Sequence, residues 1–205
     1  MKGLPPQDLF GDVPAPARRP AQGRSPARQG PRHTWFFALR PGAEDAARID
    51  AFASALLAAH GVSGKRIGPE RLHVTLDLVG HDVDEATVEA ACRAAGAVRV
   101  PALDVRFDAV TTFAAPSAPV VLLGAAGLDA VRALRTALGW ALADQGFRPP
   151  AAYEPHMTLS YDPRHHLART PVAPTGFRAT EFALVRSHIG FSRHEVVRTW
   201  PLASQ

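Results

Sequence analysis

The chain has a single cysteine, Cys92, among its 205 residues. One thiol cannot form an intramolecular disulfide, and there is no second cysteine to complete a thiolate metal site or a redox pair. We therefore interpret Cys92 as a packing residue. The sequence also lacks any apolar run approaching the roughly 20 residues needed to cross a bilayer, and its N-terminus lacks the apolar stretch of a signal peptide. We expect a cytoplasmic protein with no membrane partner.

Lysine is almost absent, since only Lys2 and Lys65 occur among the 23 basic residues. The net charge of +4 comes from one segment, because residues 1–32 hold six basic and two acidic groups while residues 33–205 hold 17 of each. A formally neutral body argues against a broad surface that coats nucleic acid. A pocket for one phosphate remains compatible with it, because such a pocket needs only a few donors.

The segment that carries the excess charge is also the one least able to fold. Residues 1–32 contain seven prolines and almost no aromatic or β-branched residues, so they cannot bury enough apolar surface to offset chain entropy. We predict a disordered tail over residues 1–32. The rest of the chain is long enough for one compact core, so we predict a single domain over residues 33–205 and expect a monomer.

Hydrophobic periodicity in this domain predicts an α+β fold. Strand-like segments lie at 33–39, 72–79, 102–113, 120–123, 154–161, 177–189 and 196–202. Helical spacing is found at 43–60, 84–95 and 128–145. Two further segments, 61–70 and 162–176, are predicted to be loops. The same order of strand, helix and strand occurs twice, which indicates two loosely related halves.

Two short segments in equivalent places of the two halves share one pattern. Residues 71–76 read RLHVTL and residues 154–159 read EPHMTL. Because successive side chains of a strand point to opposite faces, His73 and Thr75 should share one face and the leucines and valine the other. His156 and Thr158 take the same positions in the second segment. If the apolar faces pack on helices, each strand presents one histidine and one threonine, about 7 Å apart, to a common groove.

Such a groove suits the hydrolysis of a cyclic phosphate. This reaction needs a base for water, an acid for the departing ribose oxygen and donors for the phosphoryl oxygens. Histidine can take either proton role near neutral pH, and threonine hydroxyls can donate to the non-bridging oxygens. No metal and no other cofactor is required. A competing zinc site at His156, His165 and His166 lacks a carboxylate or thiolate at a familiar spacing.

A single His-x-Thr is weak evidence, because nine histidines and eleven threonines make one chance occurrence nearly expected. Two occurrences, each flanked by apolar residues on a predicted strand, are much harder to explain by chance. Residues 73–76 (HVTL) with Gly80, and residues 155–159 (PHMTL), resemble the 2H phosphoesterase superfamily. They are most similar to its bacterial RNA 2',3'-cyclic phosphodiesterases, historically called 2'-5' RNA ligases. The similarity in layout extends over about residues 33–202.

The resemblance implies two pseudo-symmetric lobes whose antiparallel sheets face a central cleft, with helices on the outside. It also implies hydrolysis of 2',3'-cyclic phosphates, at RNA ends or on nucleotides, to 2'-phosphomonoesters, and a weak reversible 2'-5' ligation in some members. By analogy with the family, His73 is the base for water and His156 the acid for the leaving oxygen. Thr75 and Thr158 would bind the phosphate.

The sequence departs from the family after its second motif, where many RNA-specific members have an arginine and residues 160–162 read SYD. Tyr161 is a candidate for stacking on a base, but an ideal strand would place it on the apolar face, where it would pack. Arg164 is a candidate for the missing cation, or a solvated loop residue.

Arg71 is a further candidate for binding phosphate, because ideal alternation places it on the face of His73. The same face would hold Asp77, so Arg71 is equally able to pair with Asp77 or with Glu154.

Other functions use the same residues. The histidine pair suits a phosphodiesterase acting on another cyclic phosphate or on an oligonucleotide 3' end. A nucleotide-binding module that keeps the cleft without turnover is a hypothesis from a different class, and a purely structural protein offers no reason for two matched polar faces.

Overall fold

A computed structural model describes residues 32–203 of the chain. The predicted tail at residues 1–32 therefore lies outside the described residues, apart from Arg32. The described part contains three helices: α1 (Ala43–Ala59), α2 (Glu85–Ala97) and α3 (Asp129–Ala143). Its nine strands are β1 (His33–Leu39), β2 (Lys65–Arg66), β3 (Val74–His81), β4 (Leu103–Thr112), β5 (Pro119–Leu123), β6 (Met157–Tyr161), β7 (Thr170–Ala179), β8 (Glu181–His188) and β9 (Arg193–Pro201).

Local sequence accounts for the helices. The side chain of Asp84 caps α2 by accepting a hydrogen bond from the backbone N–H of Thr87 at 2.9 Å. Gly61, with a φ of 68°, adopts a left-handed conformation just beyond the end of α1. The predicted apolar stripe of α3 is fully packed, since Val131, Leu134 and Leu138 are all buried.

The strands form one continuous antiparallel sheet in the order β7-β4-β5-β6-β3-β1-β8-β9, with β2 added beside β6. Its two halves meet where β3 pairs with β6, and one residue pair, Val74 with Met157, forms this junction. Each half contains a strand, a helix and a strand that begins at the junction: β1, α1 and β3 in one half, and β5, α3 and β6 in the other. The predicted α+β fold of two pseudo-symmetric lobes is confirmed.

The main hydrophobic core lies between the helices and one face of the sheet. The opposite face carries two small apolar clusters of its own, one around Phe36 and Ala38 and the other around Ala109 and Val121. We call this second surface the cleft face. No helix among residues 32–203 is long and apolar enough to cross a membrane.

Among the register irregularities of the sheet, two bulges close to the histidine motifs change the face on which nearby residues lie. In β3 the register against β1 skips Leu76, so Asp77 lies opposite Phe37 on the core face. The carboxylate of Asp77 is 3.6 Å from the guanidinium of Arg135 in α3. The expectation that Asp77 shares the face of His73 is therefore wrong.

The second bulge is in β6, where the register against β5 skips Leu159. Thr158 pairs with Val121 on the cleft face, and beyond the bulge Ser160 is fully buried while Tyr161 returns to the cleft face. Tyr161 is 38% exposed. The interpretation of Tyr161 as a packing residue is thus wrong, for a reason that alternation alone does not predict.

The predicted loop at residues 162–176 is also partly wrong, because β7 begins at Thr170. Pro171 and Pro174 lie in β7, which is an edge strand, and edge strands tolerate proline because a missing N–H on the open edge breaks no ladder. A predicted strand at 177–189 is divided at Thr180 between β7 and β8. Strand β9 begins at Arg193, earlier than the prediction from its apolar residues.

Candidate active site

The two histidine motifs meet at the junction of the two halves. Val74 and Met157, which pair there, are both fully buried against the helices. Their neighbours in each strand therefore project from the cleft face. Extending the antiparallel register by one residue places His73 opposite Thr158 and Thr75 opposite His156.

This arrangement puts the two histidines on a diagonal. Residues directly opposite in an antiparallel pair have Cβ atoms about 5 Å apart, and diagonal neighbours lie about 7–8 Å apart. A separation of that size is enough for a small anion between the imidazoles, and in this register one threonine lies opposite each histidine. Both histidines immediately precede their strands, whose described bounds begin at Val74 and Met157.

Both imidazoles are held in the same tautomer. The Nδ1 of His73 lies 2.6 Å from the carbonyl oxygen of Arg71, and the Nδ1 of His156 lies 2.8 Å from that of Glu154. A carbonyl can only accept, so in each ring Nδ1–H donates. The Nε2 atom of each histidine is therefore the one available for proton transfer.

Each imidazole also lies against a phenylalanine. The Phe36 ring centroid is 5.1 Å from that of His73, and the Phe113 centroid is 4.9 Å from that of His156. These contacts and the Nδ1 hydrogen bonds together restrict how each ring can turn.

The surroundings of His73 are strongly cationic. Pairing of Leu39 with Val74 puts Arg40 beside His73 on the β1 side, and the His194 ring lies 5.2 Å from that of His73. Burial is the main reason that the pKa of His73 is lowered to about 4, and positive charge on His156, Arg40 and Arg71 contributes to the lowering. The hydrogen bond to the Arg71 carbonyl acts in the opposite direction, because it favours the protonated ring. Burial likewise lowers the pKa of His194 to about 4. Both rings are neutral at pH 7.

Arg71 lies beside the histidines, and the two carboxylates proposed as its alternative partners are engaged elsewhere. Asp77 pairs with Arg135, and Glu154 lies 3.0 Å from Arg132. The Arg71 side chain is mostly buried, and its ion pair is a long one of 3.7 Å to Glu70.

The other candidates lie away from the histidine pair. The Arg164 side chain is 74% exposed and 3.6 Å from Asp162, so it braces a loop. The suggested zinc ligands are not assembled: Nδ1 of His165 lies 2.9 Å from Asp162, and no group of three potential ligands occurs among residues 32–203. Desolvation opposes ionisation of Asp162, yet hydrogen bonds from Arg164, Ser63 and His165 lower its pKa to about 2.

A network behind the first motif positions Thr75. The Tyr153 hydroxyl donates to the Thr75 carbonyl at 2.6 Å, and the guanidinium of Arg135 lies 5.3 Å from the Tyr153 ring centre. Burial raises the pKa of Tyr153, which therefore remains a hydrogen-bond donor. A cavity of about 970 Å³ adjoins Asp77 and Arg135, and neither His73 nor His156 lines it.

Sequence reasoning missed Arg40, His194 and the two phenylalanines. Alternation along β1 would have placed Arg40 on the same face of the strand as Phe36, because an even number of positions separates the two residues. His194 gave no such signal, since its approach to His73 depends on the order of the strands and on the curl of β9 toward the turn at Pro69–Arg71.

The fold is shared with several solved structures, one of which is described as a phosphoesterase and is 24% identical, with a TM-score of 0.68, over 84% of this chain and 99% of that chain. E. coli LigT in its apo form is 24% identical, with a TM-score of 0.68, over 84% of this chain and 99% of that chain. E. coli LigT complexed with 3'-AMP is 24% identical, with a TM-score of 0.66 and the same coverage. The protein TT0787 of Thermus thermophilus is 18% identical, with a TM-score of 0.66, again over 84% and 99%. No curated protein sequence matches the chain.

The curled antiparallel sheet with one His-x-Thr motif in each half defines a 2H phosphoesterase. Residues 41–189 match the model of the 2'-5' RNA ligase superfamily, which covers most of the chain. The chain belongs to that superfamily.

Proposed function

We propose that this phosphoesterase hydrolyses the 2',3'-cyclic phosphate of RNA ends and nucleotides to a 2'-phosphomonoester, without a metal ion. The observation that carries the proposal is the diagonal pair of His73 and His156, each with Nδ1–H bound to a carbonyl, Nε2 available and a threonine opposite. Two bases that are oriented alike on either side of one anion-sized gap suit a reaction with two proton transfers.

In the proposed reaction His73 is the base, because its imidazole is neutral at pH 7. Nε2 of His73 takes a proton from water as the water oxygen attacks phosphorus. The bond from phosphorus to O3' breaks, and Nε2–H of His156 protonates the departing O3', which leaves the phosphate on O2'. Proton exchange with solvent then restores both rings.

The threonines and nearby side chains complete the site. The hydroxyls of Thr75 and Thr158 donate to the non-bridging oxygens, whose charge increases in the transition state. Arg71 supplies positive charge next to His73. We assign stacking on the base of the terminal nucleotide to Tyr161, and its exposure on the cleft face beyond Thr158 supports this role. The complex of LigT with 3'-AMP, a nucleotide with a phosphate on its ribose, supports a nucleotide end as substrate.

Turnover of a panel of nucleoside 2',3'-cyclic phosphates and of RNA with cyclic ends, in excess EDTA, tests the proposal. We expect hydrolysis to 2'-phosphates, loss of activity in His73→Asn and His156→Asn, and normal activity in His60→Asn, which changes an exposed histidine at the end of α1. Loss of activity in EDTA with recovery on adding zinc or manganese would contradict the metal-free mechanism. Binding of these nucleotides without turnover would favour a binding module.

A further inference from the structure

A cationic group of side chains adjoins His73 on the side away from the second motif. Thr158 lies opposite His73 in β6, whereas Arg40 lies beside it on the β1 side. Since β3 runs between β6 and β1, His73 separates Arg40 from the gap between the two catalytic imidazoles. An anion bound by Arg40 is therefore a different group from the phosphate that lies between the histidines.

Arg40 is held in place but incompletely satisfied. One of its terminal nitrogens donates to the carbonyl oxygen of Glu70 at 2.9 Å, which ties β1 to the turn at Pro69–Arg71. Its Nε is buried and has no hydrogen-bond partner among the described residues. A buried N–H without a partner costs free energy that an anion placed against it would recover.

Arg71 and His194 complete the group. The Arg71 side chain is 13% exposed, and the nearest carboxylate, that of Glu70, is 3.7 Å away and 69% exposed. His194 reaches the group from β9, with its ring 5.2 Å from that of His73 and 5.5 Å from that of Phe36. The two guanidinium groups are thus partly desolvated, and the one carboxylate among the described residues that pairs with either of them, that of Glu70, is distant and exposed. This excess of positive charge favours binding an anion, to which the neutral His194 ring can add an N–H donor.

We propose that Arg40, Arg71 and His194 form a second phosphate subsite, which binds the phosphate on O5' of the nucleotide whose cyclic phosphate is cleaved. The subsite rests on the proposed function and specifies its substrate. In such a nucleotide one ribose lies between the cyclic phosphate and the 5'-phosphate. In the protein one side chain, His73, lies between the gap that holds the cyclic phosphate and the second subsite. The favoured substrates are then oligonucleotide ends and 5'-phosphorylated nucleotides, in preference to simple nucleoside cyclic phosphates.

Three substrates test this inference: adenosine 2',3'-cyclic phosphate, the same compound with a 5'-phosphate, and the dinucleotide ApA with a 2',3'-cyclic end. We expect kcat/KM for the second and third to exceed that for the first by roughly ten- to a hundredfold, the factor for one charge-assisted hydrogen bond. Arg40→Gln and His194→Gln should each lower this ratio toward one. Arg198→Gln is the matched control, because it removes an exposed arginine from the opposite face of β9.

Binding measurements separate failure of the subsite from failure of the proposed function. Wild-type protein should bind adenosine 2',5'-bisphosphate more tightly than adenosine 2'-monophosphate, and Arg40→Gln should lose that difference, whether or not the chain is catalytic. Equal kcat/KM for all three substrates, or a ratio unchanged in Arg40→Gln, overturns the subsite and leaves the hydrolysis standing. Should Arg40→Gln fail to fold because it no longer anchors Glu70, Arg71→Gln and His194→Gln provide the same comparison.

Discussion

On acidification to pH 4, the His73→Asn variant should lose about 3 kcal/mol less of its free energy of unfolding than the wild-type protein does. The asparagine amide nitrogen can replace Nδ1 and keep the 2.6 Å hydrogen bond to the Arg71 carbonyl, so the change removes the ionisation and retains the contact. Burial lowers the pKa of His73 from 6.5 to about 4. Between these values the unfolded chain binds a proton at this position and the folded chain does not, so stability is lost as the pH falls through this window. At about 1.4 kcal/mol for each pKa unit, the loss approaches about 3 kcal/mol by pH 4.

Urea unfolding at pH 7, 6, 5 and 4 measures this effect. The difference between the two free energies of unfolding cancels the groups that titrate alike in wild type and variant. It retains the titration of His73, together with the part of the lowered His194 pKa that the charge of His73 causes. His73→Gln is the matched control: it should lose about 1 kcal/mol at pH 7 because it misplaces the hydrogen bond, yet show the same flattened dependence. A wild-type minus variant difference that stays constant from pH 7 to pH 4 would refute a neutral, desolvated His73, and with it the argument that this ring is the base.

Three further predictions concern catalysis. His73→Asn and His156→Asn should each lower kcat by about 10²–10⁴-fold, and steady-state kinetics of the double variant should show less than the product of the two losses, because both rings serve one reaction. Thr158→Val should lower kcat/KM by roughly ten- to a hundredfold through the lost hydrogen bond to phosphate, with circular dichroism confirming an unchanged fold. Tyr153→Phe removes the hydrogen bond to the Thr75 carbonyl, so denaturant titration should show a free energy of unfolding lower by about 1 kcal/mol. The variant should also have a lower kcat with an unchanged KM, because Thr75 is less well positioned. A change in KM alone would contradict this positioning role.

Periodicity predicted the helices and most strands because their apolar residues pack against one core. The bounds of β1 match the predicted segment, and those of α1 differ by one residue, since both present a regular apolar face to neighbours close in sequence. The prediction failed where the determining contact is distant. Strand β7 is irregular in composition and forms because β4 offers it an edge, and β2 consists of two residues that pair with β6 across the sheet.

The bulges set a second limit on prediction. Leu76 and Leu159 look like ordinary members of alternating strands, and nothing in their own residue types marks the skipped register. Each bulge reverses the alternation beyond it, which carries Asp77 to the helix side and Tyr161 to the cleft face. The motif residues themselves precede both bulges, so alternation from the buried pair at the junction still describes the placement of His73 and Thr158.

The two histidines make the same Nδ1 hydrogen bond, but they differ in burial and in the charge of the residue two positions earlier in each motif. Both donate Nδ1–H to the carbonyl of that earlier residue, but the residue is Arg71 before one histidine and Glu154 before the other. Arg40 adds a second guanidinium beside His73, and another positive charge there is opposed by both arginines as well as by burial. A reaction with one base and one acid needs its two histidines in opposite protonation states. Two symmetric lobes alone give no reason for either histidine to be the base. Burial, with the charge of the two arginines added to it, keeps His73 neutral and able to accept a proton. This asymmetry supports the proposed direction of proton transfer, from water to His73 and from His156 to the leaving oxygen.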